Sequence, residues 1–283
     1  MKTTMARVCT WSGTRRRASA PRRTPQYYGL PYEDVQFASA HTDRIRLSGW
    51  IVPAVSPRGV VILCHGHTST RSDLLAKAVM LHTHQFTTLL FDFRARGLSE
   101  GDLCTLGARE TDDVLGAVAL IQSRVDMKGL PIGALGESMG GAAVIQAAAQ
   151  TQALGSIVAE ASYASLDRVI RQRLAFAFGP FAGPVAQACH KISREEMELD
   201  IAAVSPEAQI PRVSPRPVFL ITDGLDLTCP RGESDRLFDS AQEPKERWVA
   251  PAALHCMAFL THRETYTERV SEFFKAAMAA SPR

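Results

Sequence analysis

Beyond about residue 30 the chain alternates between two hydrophobic rhythms. Short, almost continuously apolar runs occur at residues 60–64, 87–91, 132–136, 156–159 and 218–221. Runs of this length and composition suit strands buried on both faces, as in a parallel sheet. Between them, apolar residues recur at helical spacing over 72–84, 109–124, 139–150, 232–241 and 262–279. Strand following helix in this way predicts an α/β fold whose mostly parallel, doubly wound sheet is covered by helices on both faces through right-handed crossovers. Residues 35–38 and 44–53, joined by a turn at His41, Thr42 and Asp43, predict an antiparallel hairpin ahead of the parallel strands, and 247–250 a last strand, about eight in all. One interval breaks the rhythm. From about 162 to 215 there is no strand candidate, only helical pieces interrupted by Gly and Pro, and this predicts a helical lid inserted above the sheet.

Composition refines that picture in two places. With 283 residues, 46% of them hydrophobic and 22% charged, the chain can bury one large core. Residues 28–283 are therefore read as a single domain carrying the lid. The formal charge of +3 conceals an asymmetry: seven of the 32 Lys and Arg precede the first acid, Glu33, so the remaining 25 bases face 29 acids. Residues 1–27 are thus a basic segment rich in Arg, Ser, Thr and Pro without an apolar run, expected to be disordered and to lack a signal or anchor. Clustered Arg attracts phosphate, but no interleaved aromatics accompany it, so no nucleic-acid partner is expected. Apolar residues 174–188 are interrupted by Gly179, Pro180, Gly183 and Pro184 and fall short of a membrane span. The six scattered cysteines form no C-x-x-C pair and are expected to be free thiols in a soluble, cytoplasmic protein.

The chemistry concentrates in Gly136-Glu137-Ser138-Met139-Gly140, set where an apolar strand meets a small-residue helix. A serine on so sharp a turn is forced toward positive φ, and the backbone crosses itself so closely that the flanking positions must lack a β-carbon. A neutral hydroxyl is a weak nucleophile, so Ser138 needs an imidazole to take its proton and a carboxylate to orient that imidazole. Asp226 lies just past the strand at 218–221, where loops leave a sheet toward the active face, and is the candidate acid. Asp223, three residues earlier, is the alternative, or else a residue that caps the loop or accepts backbone hydrogen bonds. His255, in the loop between the last strand and the last helix, is the candidate base. For the developing oxyanion the candidate donors are the backbone N–H groups of Met139, at a helix N-terminus, and His67, in the turn after residues 60–64. The pairs His65/His67 and His82/His84 raise the question of a metal. No carboxylate lies at ligand spacing, so neither metal nor cofactor is expected.

Taken together, Cys64-His65-Gly66-His67, Phe91-Asp92-Phe93-Arg94-Ala95-Arg96-Gly97-Leu98-Ser99-Glu100-Gly101, residues 136–140, Asp226 with Pro230, and His255 resemble the alpha/beta-hydrolase superfamily. Within it they are similar to the serine-aminopeptidase-like and acylaminoacyl-peptidase-like lineage. The resemblance runs from about residue 29 to 274. It implies that residues 92–99 form a structured loop buttressing the oxyanion turn. The chain departs from the family pattern at Ala95, where Gly is usual, and at Thr222-Asp223, which replaces a common His-Gly pair ahead of the acid.

The leading expectation is hydrolysis of a carboxylic ester, or a related acyl bond, through an acyl-enzyme, with a small-molecule acyl substrate. Leu174, Phe176, Phe178, Phe181 and Val185 of the lid are candidates to line an acyl pocket, with Phe176, Phe178 and Phe181 foremost. An amino- or acylaminoacyl-peptidase would instead use Glu195, Glu196, Glu198 and Asp200 to meet a substrate amine. An acyltransferase would use the same three residues, and a non-catalytic binding protein would keep only the fold. Oligomeric state is left open.

Overall fold

The computed structural model describes residues 23–280. Residues 1–22, most of the segment expected to be disordered, lie outside the described residues. Residues 25–27, counted with that segment, instead belong to a 3-10 turn, Pro25–Tyr28, and Ser72 Oγ donates to the Arg23 carbonyl at 3.0 Å.

Eight strands form one sheet: β1 (Glu33–Ala38), β2 (Arg46–Val52), β3 (Gly59–Cys64), β4 (Phe86–Phe91), β5 (Ile132–Glu137), β6 (Leu154–Glu160), β7 (Val218–Asp223) and β8 (Lys245–Ala250). Their spatial order is β1-β2-β4-β3-β5-β6-β7-β8. β1 pairs antiparallel with β2, and β2 antiparallel with β4, while every later pairing is parallel. The chain thus leaves β3 toward β4 and then returns past β3 to β5. Loops diverge at the carboxyl ends of β3 and β5, which is where doubly wound sheets form their crevice.

Alternation along β3 explains the continuous apolar run. Val60, Ile62 and Cys64 enter one core and Val61 and Leu63 the other, because successive strand side chains point to opposite faces. Helices α2 (Glu110–Ser123), α3 (Met139–Ala148) and α7 (Arg231–Ser240) cover the first face. On the second lie α1 (Leu75–Thr83) and α9 (Arg263–Ala279). The edge strand β8 is only half-buried and carries Lys245, Glu246 and Arg247, charges that discourage pairing with another chain.

Between β6 and β7 the chain makes a helical excursion: α4 (Leu166–Phe178), α5 (Ala182–Met197), the short α6 (Pro206–Gln209) and connecting 3-10 turns. Leu174, Ala186 and Cys189 pack α4 against α5. A second cluster, with Leu166, Val169, Met197 and Ile201, includes Ala142 of α3 and Cys229 of the loop after β7. The excursion therefore rests on the two segments that flank the sheet's carboxyl edge.

Three elements differ from the pattern-based expectation. The helix expected over 72–84 opens as a 3-10 turn, Arg71–Leu74, because Thr70 and Asp73 cap each other's backbone N–H groups, and α1 begins only at Leu75. A four-residue helix, α8 (Ala258–Thr261), precedes α9. β7 extends through Thr222 and Asp223, so Asp223 ends a buried strand. Among the described residues Cys64, Cys104, Cys229 and Cys256 are free thiols, as expected. Among the described residues no helix is long and apolar enough to cross a membrane.

One buried ion pair joins the opening hairpin, the loop after β4 and α2. Arg94, 2% exposed, donates Nη2 to Asp113 Oδ1 at 2.7 Å, Nη2 to Ser39 Oγ at 2.9 Å and Nη1 to Asp43 Oδ2 at 3.1 Å. Removing one partner strands the other's charge in the interior. Arg94→Ala is therefore expected to cost about 3–5 kcal/mol in urea unfolding, and a loss below about 1 kcal/mol would contradict this account.

Candidate active site

Ser138 follows the last residue of β5 and precedes the first of α3. Its φ of 54° and ψ of −117° are sparsely populated for an L-residue, a conformation that persists only where surrounding structure enforces it. Here the enforcement is visible. Ser138 N–H donates to the Glu160 carbonyl of the neighbouring strand at 2.8 Å. A β-carbon at Gly136 would lie 2.3 Å from the Gly140 carbonyl oxygen, and one at Gly140 would lie 2.3 Å from the Cys64 carbonyl oxygen. The two glycines let strand, turn and helix meet at a distance no other residue permits.

His255 comes from the loop after β8. Its Nε2 is 2.9 Å from Ser138 Oγ, and its Nδ1 is 2.6 Å from Asp226 Oδ2. A carboxylate only accepts, so Nδ1 carries the hydrogen and Nε2 turns its lone pair to the serine hydroxyl. Asp226, buried after β7, is itself held: its Oδ1 accepts the N–H groups of Thr228 at 2.7 Å and Cys229 at 2.9 Å. Three side chains far apart in sequence are thus joined in series, able to draw a proton from Ser138 and stabilise the resulting imidazolium.

The oxyanion candidates lie beside this series. Met139 is the first residue of α3, so its N–H has no acceptor within the helix. In the turn after β3, a β-carbon built on Gly66 would lie 3.5 Å from Ser138 Cβ, so that the backbone preceding His67 packs against Ser138. Arg96 fastens the turn, donating Nε to the His67 carbonyl at 2.7 Å. His65 braces it from below. Its Nε2 accepts the Phe93 N–H at 3.0 Å, so Nδ1 donates to the Gly66 carbonyl at 2.7 Å. Burial holds the His65 pKa below the ordinary imidazole value, in keeping with a neutral ring. Asp92 serves the same loop, accepting the N–H groups of Arg71 at 2.9 Å and Leu98 at 3.0 Å.

Other candidates fall elsewhere. Phe176, Phe178 and Phe181 are 97%, 40% and 72% exposed, which leaves them outside any walled pocket. A groove of about 560 Å³ on the excursion is lined by Asp167, Arg171, His190 and Lys191 among others, with none of the three phenylalanines and none of the serine-linked series. Glu195, Glu196, Glu198 and Asp200 are exposed. Asp223 does not reach His255; its Oδ2 accepts the Cys256 N–H at 2.6 Å.

Sequence reasoning also missed Cys229, whose thiol lies in hydrogen-bonding contact with the Ser138 side chain and is pushed up in pKa by burial. Its place after the acid was readable, but its distance from Ser138 was not. The donor atoms of Asp226, Cys229 and His255 lie within 4.8 Å of one another, a geometry a metal ion can use. Two of these residues are already committed to the serine-linked series.

The sequence pattern of the serine aminopeptidase S33 family matches residues 55–206, more than half the chain. The chain belongs to this family. The matched span of this S33 hydrolase contains Ser138 and the turn at His67, and ends before Asp226 and His255. Similar curated proteins include the uncharacterized YqkD of Bacillus subtilis, 26% identical over 80% of this chain and 74% of its own length. The uncharacterized YfhR of Escherichia coli K12 is 25% identical over 87% and 81%. Among solved structures, the Pyrococcus furiosus esterase Pf2001 superimposes with a TM-score of 0.74 at 25% identity, covering 93% of this chain and 98% of its own. A dienelactone hydrolase from Anabaena variabilis shares the fold, with a TM-score of 0.60, 20% identity and coverages of 87% and 97%. The protein is an α/β hydrolase.

Gly140→Ala tests whether the close approach of backbones sets the serine. It is expected to slow labelling of Ser138 by a fluorophosphonate about 100-fold, with circular dichroism as the check on folding. Labelling at the parent rate would show that the contact relaxes without consequence.

Proposed function

We propose that this S33 hydrolase is a serine enzyme that cleaves a carboxylic ester through an acyl-enzyme. The observation that carries the reading is the unbroken series from Ser138 Oγ through His255 to Asp226. Ser138 Oγ attacks the acyl carbon while its proton passes to His255 Nε2. The Asp226 carboxylate, fixed by two backbone donors, keeps the ring in the required tautomer and balances its charge. The carbonyl oxygen, now anionic, accepts the N–H groups of Met139 and His67, each contributing about 3 kcal/mol to the transition state. Collapse expels the alkoxide, which takes the proton from Nε2 and leaves acyl-Ser138. Water then repeats the sequence and releases the acid.

Two observations favour an ester. Pf2001, similar along nearly the whole chain, is an esterase. Leu225 and Leu227, which flank Asp226, and Leu254, which precedes His255, are exposed, an apolar rim suited to an acyl chain. In the same reading α4 and α5 act as a lid, supported by the Arg173 Nη2 contact with the Thr228 carbonyl at 3.3 Å. Phe176, Phe178 and Phe181 carry no part of the proposal. The family's name favours a second reading, an aminopeptidase. That reading needs an acid beside the serine to hold an amine, and the acids at 195–200 are exposed.

Short p-nitrophenyl esters are the expected substrates. Ser138→Ala is expected to lower kcat about a millionfold and Asp226→Asn about 10,000-fold. Retention of ester turnover by Ser138→Ala would sink the proposal. Faster cleavage of aminoacyl amides than of esters would move the assignment to the aminopeptidase reading.

A further inference from the structure

Beneath the serine-linked series lies a group of buried ionisable residues that the proposed chemistry does not use. Lys77 of α1 donates Nζ to Glu137, the residue before Ser138, and to Glu160, whose carbonyl holds the Ser138 N–H. Tyr266 of α9 donates its hydroxyl to Glu160 Oε2 at 2.7 Å. Asp223, at the end of β7, is 1% exposed and accepts the Cys256 N–H at 2.6 Å. The groups facing Asp223 are Glu160 from β6, Lys77 from α1, Cys256 from the loop after β8, and Asp226 from its own loop. One ammonium therefore stands against three buried carboxyl groups, Glu137, Glu160 and Asp223. Two carboxyl oxygens, Glu160 Oε1 and Asp223 Oδ1, have no hydrogen-bond partner among the described residues.

The loop that Asp223 grips is held against its own preference. Ala252 and Cys256, on either side of His255, both take positive φ of 58°, a conformation that costs an L-residue roughly 1–2 kcal/mol. A turn of that kind keeps its shape only through its anchors. Those joining it to the end of β7 and the acid loop are Asp223 Oδ2 on the Cys256 N–H, the Ala250 carbonyl on the Gly224 N–H at 2.9 Å, and the Ala253 carbonyl on the Leu225 N–H at 2.8 Å.

We propose that Asp223 is a positioning residue for His255: its buried carboxyl group anchors the turn through the Cys256 N–H and so holds the imidazole toward Ser138. The inference rests on the serine-hydrolase reading for its catalytic consequence, though not for its effect on stability. Burial, reinforced by the charge of Glu160, pushes the Asp223 pKa up to about 7, while Glu137 is raised for the same first reason. Because the folded pKa lies above the unfolded one, stability is greatest where both states are protonated. It falls as pH rises from about 4 to about 7, and is flat beyond that.

The test uses Asp223→Asn, which keeps an acceptor for Cys256 but cannot ionise, and Asp223→Ala, which removes the acceptor. On a p-nitrophenyl ester at pH 6, Asp223→Ala is expected to lower kcat about 10-fold with little change in KM, and Asp223→Asn to restore most of it. At pH 8, Asp223→Asn is expected to melt about 5 °C above the parent, the gap closing toward pH 5. An unchanged kcat in Asp223→Ala, or melting curves of Asp223→Asn and parent that run parallel across pH, would overturn the inference. Should Asp223→Ala fail to fold, the Asparagine variant's pH profile decides alone. Ester turnover surviving in Ser138→Ala would instead defeat the hydrolase reading and leave the melting comparison intact.

Discussion

The site depends on one close approach of backbones, where α3 leaves β5 against the end of β3. Because Gly136 and Gly140 carry no side chain, the carbonyls of Gly140 and Cys64 can sit where β-carbons would otherwise stand. That contact fixes three things together. It holds Ser138 at positive φ, it starts α3 at Met139 so that its first N–H groups open toward the crevice, and it brings the turn at Gly66 against Ser138. The hydroxyl and both candidate oxyanion donors are thus placed by packing of the main chain, before any side-chain rotamer is chosen.

Asp226 and His255 arrive by a different route, as tips of loops after β7 and β8. Parallel neighbours bring those tips together, since Asp223 pairs with Ala250 in register, and the two loops then exchange hydrogen bonds through Gly224, Leu225 and Cys256. The serine turn is rigid because it is crowded. The histidine turn is rigid only insofar as it is tied.

What was legible in the sequence follows the same division. Gly136 and Gly140 mark a steric demand, so the turn at Ser138 could be picked out from residue types alone, and the sequence pattern located all eight strands to within two residues at either end. Asp226 and His255 were found from their places after strands, and the structure brings both to Ser138. Lys77 looked like any lysine in a surface helix; its burial depends on Glu137 and Glu160, 60 and 83 residues away, and spacing along one helix does not report that. Phe176, Phe178 and Phe181 misled for the converse reason. An apolar side chain on a helix has a burial that depends on the partner laid against it, and no described element covers these three. Asp223 was visible as a second acid near the end of a strand, but its role as an anchor needed the position of the Cys256 N–H.

A buried acid so near the base would ordinarily be a liability. Ionised, Asp223 would repel Glu160 and Asp226, and the strain would fall on the turn it holds, whose two left-handed residues have little preference to keep them in place. Protonated, it still offers Oδ2 to Cys256 while Lys77 has only Glu137 and Glu160 to balance. In the proposed reading the anchor sheds its charge as pH falls below about 7, while its Oδ2 stays on the Cys256 N–H and away from the imidazole. The arrangement also leaves the carboxylate nearest to His255 as the one that two backbone amides already hold in place. His255 keeps a single orientation because only one of the two nearby acids reaches its ring, the other being engaged by the Cys256 N–H.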